Sequence, residues 1–301
     1  MDLDALRIFL KVAELGSITR AGAQLGLSKS RVSRRVNALE RELDAHLFHR
    51  TTRAVRLTAD GEALLPRARR IVREGDEIGA LFHTGRGLRG QVRVDLPVKI
   101  ARRVILPALP ELLARHPALE LFINTTDRLV DAIGEGFDCV LRVGELADSE
   151  LRGRKLGALP MINCASLGYV ERRGAPRSLD ELDDHLLVRY AAGRGAAPAA
   201  LEYEVDGDER RRTMRSLVTV SGTDAYFAAC VAGLGIVQIP RIAADEALAR
   251  GELVEVLPTH RCAPMPVTLL HTHGRRPPAR VRAVMDWIAG VLAPYLSAAA
   301  A

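Results

Sequence analysis

Residues 16–43 read GSITRAGAQLGLSKSRVSRRVNALEREL, and this stretch decides the fold of the N-terminal part of the chain. It predicts two short helices joined by a tight turn. Leu25-Gly26-Leu27 supplies the turn, because glycine accepts positive φ where a helix must stop sharply. Ser28 is placed to cap the helix that follows. There Val32, Val36, Leu39 and Leu43 form one apolar stripe at helical spacing. Ser30, Arg34, Asn37 and Arg41 point the other way, with Ser33 on the flank. Donors and cations on the outer face of a capped second helix suit major-groove reading. A solvated surface helix would carry a similar charge run, so the pattern needs a second signal.

The position of the charge supplies it. The chain has 301 residues, enough for roughly two or three domains. Its net charge is +6. Residues 1–58 hold 11 Lys+Arg against 6 Asp+Glu, residues 59–90 hold 6 against 5, and residues 91–301 hold 26 of each. Nearly all the excess positive charge therefore lies beside the two-helix motif, as phosphate binding requires.

Other classes find little support. Asp2 and Asp4 occupy the place of a basic leader segment, so no secretory leader is expected and a cytoplasmic protein is. The uncharged stretch 225–240 is short for a bilayer and broken by glycines, so no membrane partner is expected. Cysteines 139, 164, 230 and 262 are widely spaced and form no CxxC pair, which suits buried thiols in a reducing compartment. There is no GxSxG elbow, HExxH, P-loop or dinucleotide fingerprint, so neither a catalytic set nor a cofactor is expected. His271 and His273 share one strand face, yet two histidines without a third ligand make no metal site.

Residues 2–14 predict a helix on Leu3, Leu6, Phe9, Leu10 and Ala13. After the second helix of the motif, the alternation through 54–57 with basic flanks predicts a short β-ribbon, a wing that would carry Arg50, Arg53 and Arg56 to phosphates.

AELGSITRAGAQLGLSKSRVSRRVNALERELDAHLFHRTTRAVRLTADGEALL resembles the winged helix-turn-helix of LysR-type transcriptional regulators. The match is carried by GS-T-A-A-L, by S-x-x-x-VSR-x-V-x-x-LE, by LF-x-R and by the closing LT-x-x-G. Ile18, Lys29 and Asp44 stand where the family usually has Phe, Gln and Gly. The resemblance implies an all-α winged helix-turn-helix over 1–58 and a linker helix over 59–86 that pairs two subunits. It further implies an α/β two-lobed effector domain over 91–301, like type 2 periplasmic binding proteins. Lobe I would span about 91–163 and 268–301, and lobe II about 164–267. The implied partners are double-stranded promoter DNA, a small effector of unknown identity, and a second copy in a homodimer, with the tetramer as the family's usual assembly.

The linker itself reads as a helix from a Thr58 cap. Leu64, Ala68, Ile71, Gly75, Ile78 and Phe82 alternate by four and three, an a/d seam, and Pro66 predicts a kink. Such a seam serves equally for packing on its own chain. Residues 83–89 interrupt all periodicity and form a hinge. Beyond them, strands and helices alternate as in a sheet with mostly parallel strands: strands at 92–96, 119–123, 139–143, 161–165, 186–189, 202–205, 218–220, 235–238, 253–256 and 267–271. Helices are expected at 104–113, 129–133, 224–231 and 281–296, with a capping box at 178–181. DRLVDAIGEGFDCVLRVGELADSEL, GLGIVQIP and GELVEVLP match the regulators' effector domain, while the alanine-rich 196–201 departs from it.

Ser30, Ser33, Arg34 and Asn37 are thus expected to read bases, with Ser28 at the helix start and Thr19, Lys29, Arg31, Arg50 and Arg53 on phosphates. In α/β sheets, ligands gather at the carboxyl ends of strands, near free helix N–H groups. That selects Pro97, Val98, Lys99, Thr125, Thr126, Arg142, Ser221 and Thr223 for the effector, and Lys99 with Arg142 suggests an anion. The competing arrangement solvates Lys99 and pairs Arg142 with Asp138 or Asp127. A regulator without an effector, or a thiol-based redox sensor, is the alternative function.

Overall fold

A computed structural model of the chain describes all residues except 1, 51–54, 82–87, 129, 147–150, 192–197, 275–276 and 298–301, and the side chains of all these but 50, 73 and 76–81. The chain divides into two compact units, Met1–Gly87 with Asp131–Gly136, and Leu88–Val130 with Phe137–Ala301.

In the first unit, α1 (Leu3–Leu15), α2 (Ile18–Leu25) and α3 (Lys29–Leu43) precede β1 (Phe48–Arg50), β2 (Val55–Leu57) and α4 (Ala59–Leu81). Each of the first three helices has a polar N-cap. Asp2, Ser17 and Ser28 accept from the N–H groups of Ala5, Arg20 and Arg31. Left-handed Gly26 (φ 65°) turns α2 into α3. Asp44 ends α3 at φ 48°, a conformation that Asp tolerates better than most residues and that explains how it replaces a glycine there. Leu6, Phe9, Val32, Val36, Leu39 and Leu47 are each at most 1% exposed and form one core. Truncating any of these leucines would cost about 2–5 kcal/mol. Leu43 departs from the expected stripe and is 38% exposed, since the helix ends there before meeting an apolar neighbour.

The strands β1 and β2 pair antiparallel, with Phe48 opposite Leu57 and His49 opposite Arg56. Glu40 of α3 holds the start of this ribbon: its Oε1 accepts from Leu47 N (2.8 Å) and Phe48 N (3.3 Å). Thr58 caps α4 by accepting from Gly61 N at 3.1 Å, and the helix runs on through Pro66. The seam of α4 faces its own chain. Ala68 and Val72 are buried in the core of this unit, with Leu64, Leu65 and Ile71 packed against it. At Gly75 an added Cβ would lie 2.6 Å from Leu3 Cδ1, so α1 approaches as closely as a glycine permits. The expected intersubunit seam is therefore occupied within the chain as far as Gly75. The Ile78 and Phe82 side chains lie outside the described residues.

In the second unit, β3 (Arg89–Leu96) leads to a helical turn α5 (Val98–Ile100), a π-helical turn (Ala101–Ile105) and α6 (Leu106–Arg115). Then follow β4 (Ala118–Thr125), β5 (Cys139–Val143) and β6 (Arg152–Leu159). Lobe II begins with β7 (Met161–Ser166), α7 (Leu167–Arg173), a 3-10 turn (Asp180–Asp184), β8 (Arg189–Tyr190), β9 (Ala200–Val205) and β10 (Asp208–Thr213). It continues through β11 (Thr219–Val220), α8 (Thr223–Val231), β12 (Val237–Pro240), α9 (Arg241–Ala249) and β13 (Leu253–Glu255). The chain returns with β14 (Met265–His271) and closes with α10 (Ala279–Leu292).

The lobe I sheet has the order β4-β3-β5-β14-β6. Its first three strands are parallel, whereas β14 is antiparallel to both β5 and β6. The lobe II sheet, β12-β7-β13, is antiparallel throughout. Mostly parallel pairing thus fails as an expectation. The chain passes between lobes at Pro160 and again between β13 and β14, and each passage delivers a strand running against its neighbours. These passages fall a few residues before the expected lobe limits. Strand β6 escaped sequence reading because its burial runs from exposed to buried along its length, with no alternation. The expected helix at 129–133 is absent from its described residues: Asp131 accepts from Gly134 N (2.9 Å) and the segment turns. At 178–181, Glu181 accepts from Arg177 N (2.8 Å), no side chain caps the turn, and the result is 3-10.

Candidate DNA-contacting face and interlobe cleft

The outward face of α3 is exposed at Lys29, Ser30, Arg31, Arg34, Asn37 and Arg41, with Ser33 half-buried; Ser28 and, on α2, Thr19 are exposed as well. Ser28 and Ser30 hydroxyls lie 3.0 Å apart. Arg35, turned toward α1, is tied to Asp2 at 2.9 Å. Lys29, Arg31 and Arg34 have no such tie among the described residues. The same helix thus carries two arginines engaged within the chain, Arg35 and Arg41, whose Nε donates to Asn37 O, and three cations with no such partner among the described residues. The Arg50 side chain and Arg53 lie outside the described residues.

In the second unit the two lobes enclose a cleft of about 700 Å³. Of the selected residues, Pro97, Lys99, Thr126, Arg142 and Thr223 line it, and Val98, Thr125 and Ser221 do not. Thr125 ends the edge strand β4 and is exposed. Val98 contributes its backbone N–H instead, and the acceptor is a side chain of the chain itself. Asp127 Oδ1 takes Val98 N at 3.2 Å, while Oδ2 takes Thr223 N at 2.9 Å and Thr223 Oγ1 at 2.7 Å. One carboxylate therefore serves two helix starts, α5 in lobe I and α8 in lobe II, where backbone dipoles favour negative charge.

Lys99 is neither free nor solvated. Its Nζ lies 2.5 Å from Asp224 Oδ1 in lobe II and 4.3 Å from the Phe227 ring centroid, with the side chain 11% exposed. The ammonium holds the Asp224 carboxyl below the usual carboxylate range. Arg103 pairs with Glu246, again from lobe I to lobe II. Arg142 is 8% exposed and pairs with Asp95, not with Asp138 or Asp127. Its Nη1 donates to Asp95 Oδ2 (2.7 Å) and Leu141 O (2.8 Å), and its buried Nη2 has no partner among the described residues. Asp138 instead accepts from Arg93 N (2.8 Å) and lies 3.0 Å from His273 Nε2.

Sequence reading missed the aromatic and amide wall: Tyr190, Tyr226, Phe227 and Gln238. The Tyr190 and Tyr226 rings lie tilted against each other with centroids 5.5 Å apart, and burial, then Asp127, raises the Tyr190 phenol. Gln238 is fully engaged with Asn163 and the Glu202 backbone. Asp95 had a legible signal, a carboxylate inside the apolar strand VRVDL; the tyrosines had none.

The thiols are placed as structural groups. Cys164 meets Cys230, whose Sγ lies 3.5 Å from Cys164 O, rather than Cys139 in the other sheet. Burial pushes Cys164 up to about 12 and raises Cys139 and Cys230 further, which withholds the reactive thiolate. Among the described residues no group of three or more His, Cys, Asp or Glu side chains could hold a metal ion, and no helix is long and apolar enough to cross a membrane.

A winged helix-turn-helix joined to a two-lobed, clefted domain defines a DNA-binding protein that senses a ligand. Residues 3–62 match the family of bacterial regulatory helix-turn-helix proteins of the lysR type, and residues 85–293 match the LysR substrate binding domain. The chain belongs to the LysR family of transcriptional regulators. It is 41% identical to the HTH-type transcriptional regulator YhjC of Escherichia coli (strain K12), over 98% of this chain and 99% of that one. It is 35% identical to an HTH-type transcriptional repressor of Pseudomonas aeruginosa (strain UCBPP-PA14), over 95% and 90%. The LysR-type regulator CrgA of Neisseria meningitidis superposes with a TM-score of 0.60 at 27% identity, covering 96% and 98%. The protein is thus a DNA-binding transcriptional regulator with an effector-binding domain, not an enzyme, and its family binds promoter DNA and small effectors and forms oligomers.

Proposed function

We propose that the chain regulates transcription in the cytoplasm by setting α3 in the major groove of an operator, under control of a small anionic molecule held between the lobes of residues 91–301. Ser30, Ser33, Arg34 and Asn37 read base edges. Ser28, Thr19, Lys29, Arg31, Arg50 and Arg53 fix the helix on the phosphate backbone. Two subunits present two recognition helices about one helical turn or a multiple apart. The observation that carries this reading is the division of cations on α3: Arg35 is bound to Asp2, whereas Lys29, Arg31 and Arg34 have no partner within the described residues. Uncommitted cations on an exposed, capped helix keep their donors available to phosphates and base edges.

Footprinting on the DNA that flanks the chain's own gene tests it. Protection of two half-sites in successive major grooves, lost with Arg34→Ala, is the expected result. Binding that ignores sequence, or survives Arg34→Ala with unchanged base preference, contradicts it.

A further inference from the structure

Anion positions in the cleft are few, and most are already filled by the chain itself. The paired helix starts at Val98 and Thr223 hold the Asp127 carboxylate, which receives three hydrogen bonds there. Lys99 holds Asp224. Arg128 and Arg189 also line the cleft, and each already has a partner within the chain; what remains is Arg142. Its guanidinium lies in the cleft wall, oriented through Nη1 by the fully buried Asp95, and Nη2 is buried with no partner among the described residues. A buried donor without an acceptor destabilises the chain unless something else completes it.

The rest of the lining restricts the ligand further. Glu145, Glu202 and Glu209 line the cleft with Asp127, so a second negative charge on the ligand would meet these four carboxylates. Around them the wall is apolar and aromatic, with the Tyr190–Tyr226 pair and Ile239 among its members. One unfilled donor does not suit a phosphate, whose oxygens call for several.

We propose that the effector is a small monocarboxylate with an apolar body: its carboxylate completes Arg142, and Asp127 with Glu145, Glu202 and Glu209 rejects ligands that carry a second anionic group. The inference rests on the cleft being the effector site.

The test uses the full chain and four probes, benzoate, benzamide, phthalate and inorganic phosphate, by calorimetric titration and thermal shift. Benzoate is expected to bind and raise the unfolding midpoint. Benzamide and phthalate should bind about tenfold more weakly or worse, and phosphate not at all. Removing both members of the buried pair, Arg142→Met with Asp95→Asn, should weaken benzoate by a similar factor without stranding a charge; Arg142→Lys gives a second measure should the double variant fail to fold. Equal binding of benzamide and benzoate, unchanged benzoate binding in these variants, or no benzoate binding at all overturns the proposal. Ala263→Trp, which fills the cleft, separates it from the reading beneath: should benzoate and benzamide bind the unaltered chain equally, loss of both in this variant keeps the cleft as the site while the charge rule falls, whereas benzoate binding that survives Ala263→Trp removes both.

Discussion

Asp127 of lobe I receives two hydrogen bonds from Thr223 of lobe II, from the backbone N–H at 2.9 Å and the hydroxyl at 2.7 Å. The two residues are 96 positions apart. This carboxylate caps α8 and at the same time ties the lobes. Asp127→Ala should lower the stability of the effector domain by about 1–3 kcal/mol. Thermal unfolding of the full chain reads the loss, and Asp127→Asn should fall between the two. An unshifted midpoint in Asp127→Ala would show that the contact carries no weight.

On α3 the fold separates two neighbouring arginines. Arg34→Ala should cost about 1–3 kcal/mol in specific DNA affinity and relax base preference. Arg35→Ala removes a salt bridge to Asp2 that is about half exposed and worth little, and should leave DNA affinity nearly unchanged. Gel shifts with a cognate and a scrambled site distinguish them.

The wing is positioned by Glu40, which accepts from Leu47 N and Phe48 N. Glu40→Ala leaves two partly buried N–H groups without their acceptor, at a cost of about 1–3 kcal/mol. DNA binding should weaken for every sequence alike, with the helical circular dichroism retained. A sequence-selective loss would assign Glu40 a different role.

Lobe II contains a buried histidine. His185 Nδ1 lies 3.1 Å from Tyr169 Oη, which also accepts from Leu186 N at 2.8 Å. Burial, helped by Arg173 and opposed by Asp184 and Glu181, holds the imidazole below its ordinary 6.5. The unfolded chain therefore binds this proton at a higher pH than the folded one. The stability from the neutral ring is present above 6.5 and is lost as pH falls through the lowered folded value. Urea unfolding at a series of pH values should show that decline, and His185→Gln should flatten it.

Thiol reagents should find the cysteines unequal. Cys262 is half-buried and pushed up to about 11, whereas Cys139, Cys164 and Cys230 are buried. Mild alkaline labelling of the folded chain should reach Cys262 slowly and the other three only on unfolding. Rapid labelling of Cys164 or Cys230 would reopen the redox alternative.

Much of the reading domain was legible because its determinants are local. The Ser28 cap reaches Arg31, three residues on, and the Val32–Val36–Leu39 stripe needs only the helical repeat to define a face. The cleft was legible only in outline. Strand ends pointed to Pro97, Lys99, Thr126, Arg142 and Thr223, but the rule for helix N-termini did not reveal that Asp127 already occupies them. The α4 seam was legible as a stripe and silent about its partner, which proved to include Leu3 beside Gly75.

The chain's sequence by itself determined the caps, the amphipathic faces, the concentration of positive charge before residue 59 and the family. Each of these depends on residues a turn or two apart, or on composition. Only the tertiary structure decided which carboxylate Arg142 meets, Asp95 rather than Asp138 or Asp127, and which anion positions the cleft leaves open. Those pairings join β3 to β5, 47 residues apart, and lobe I to lobe II, and they are set by sheet register and by the two passages between lobes. A side chain's partner across such distances is chosen by where the backbone places it, and no local pattern encodes that.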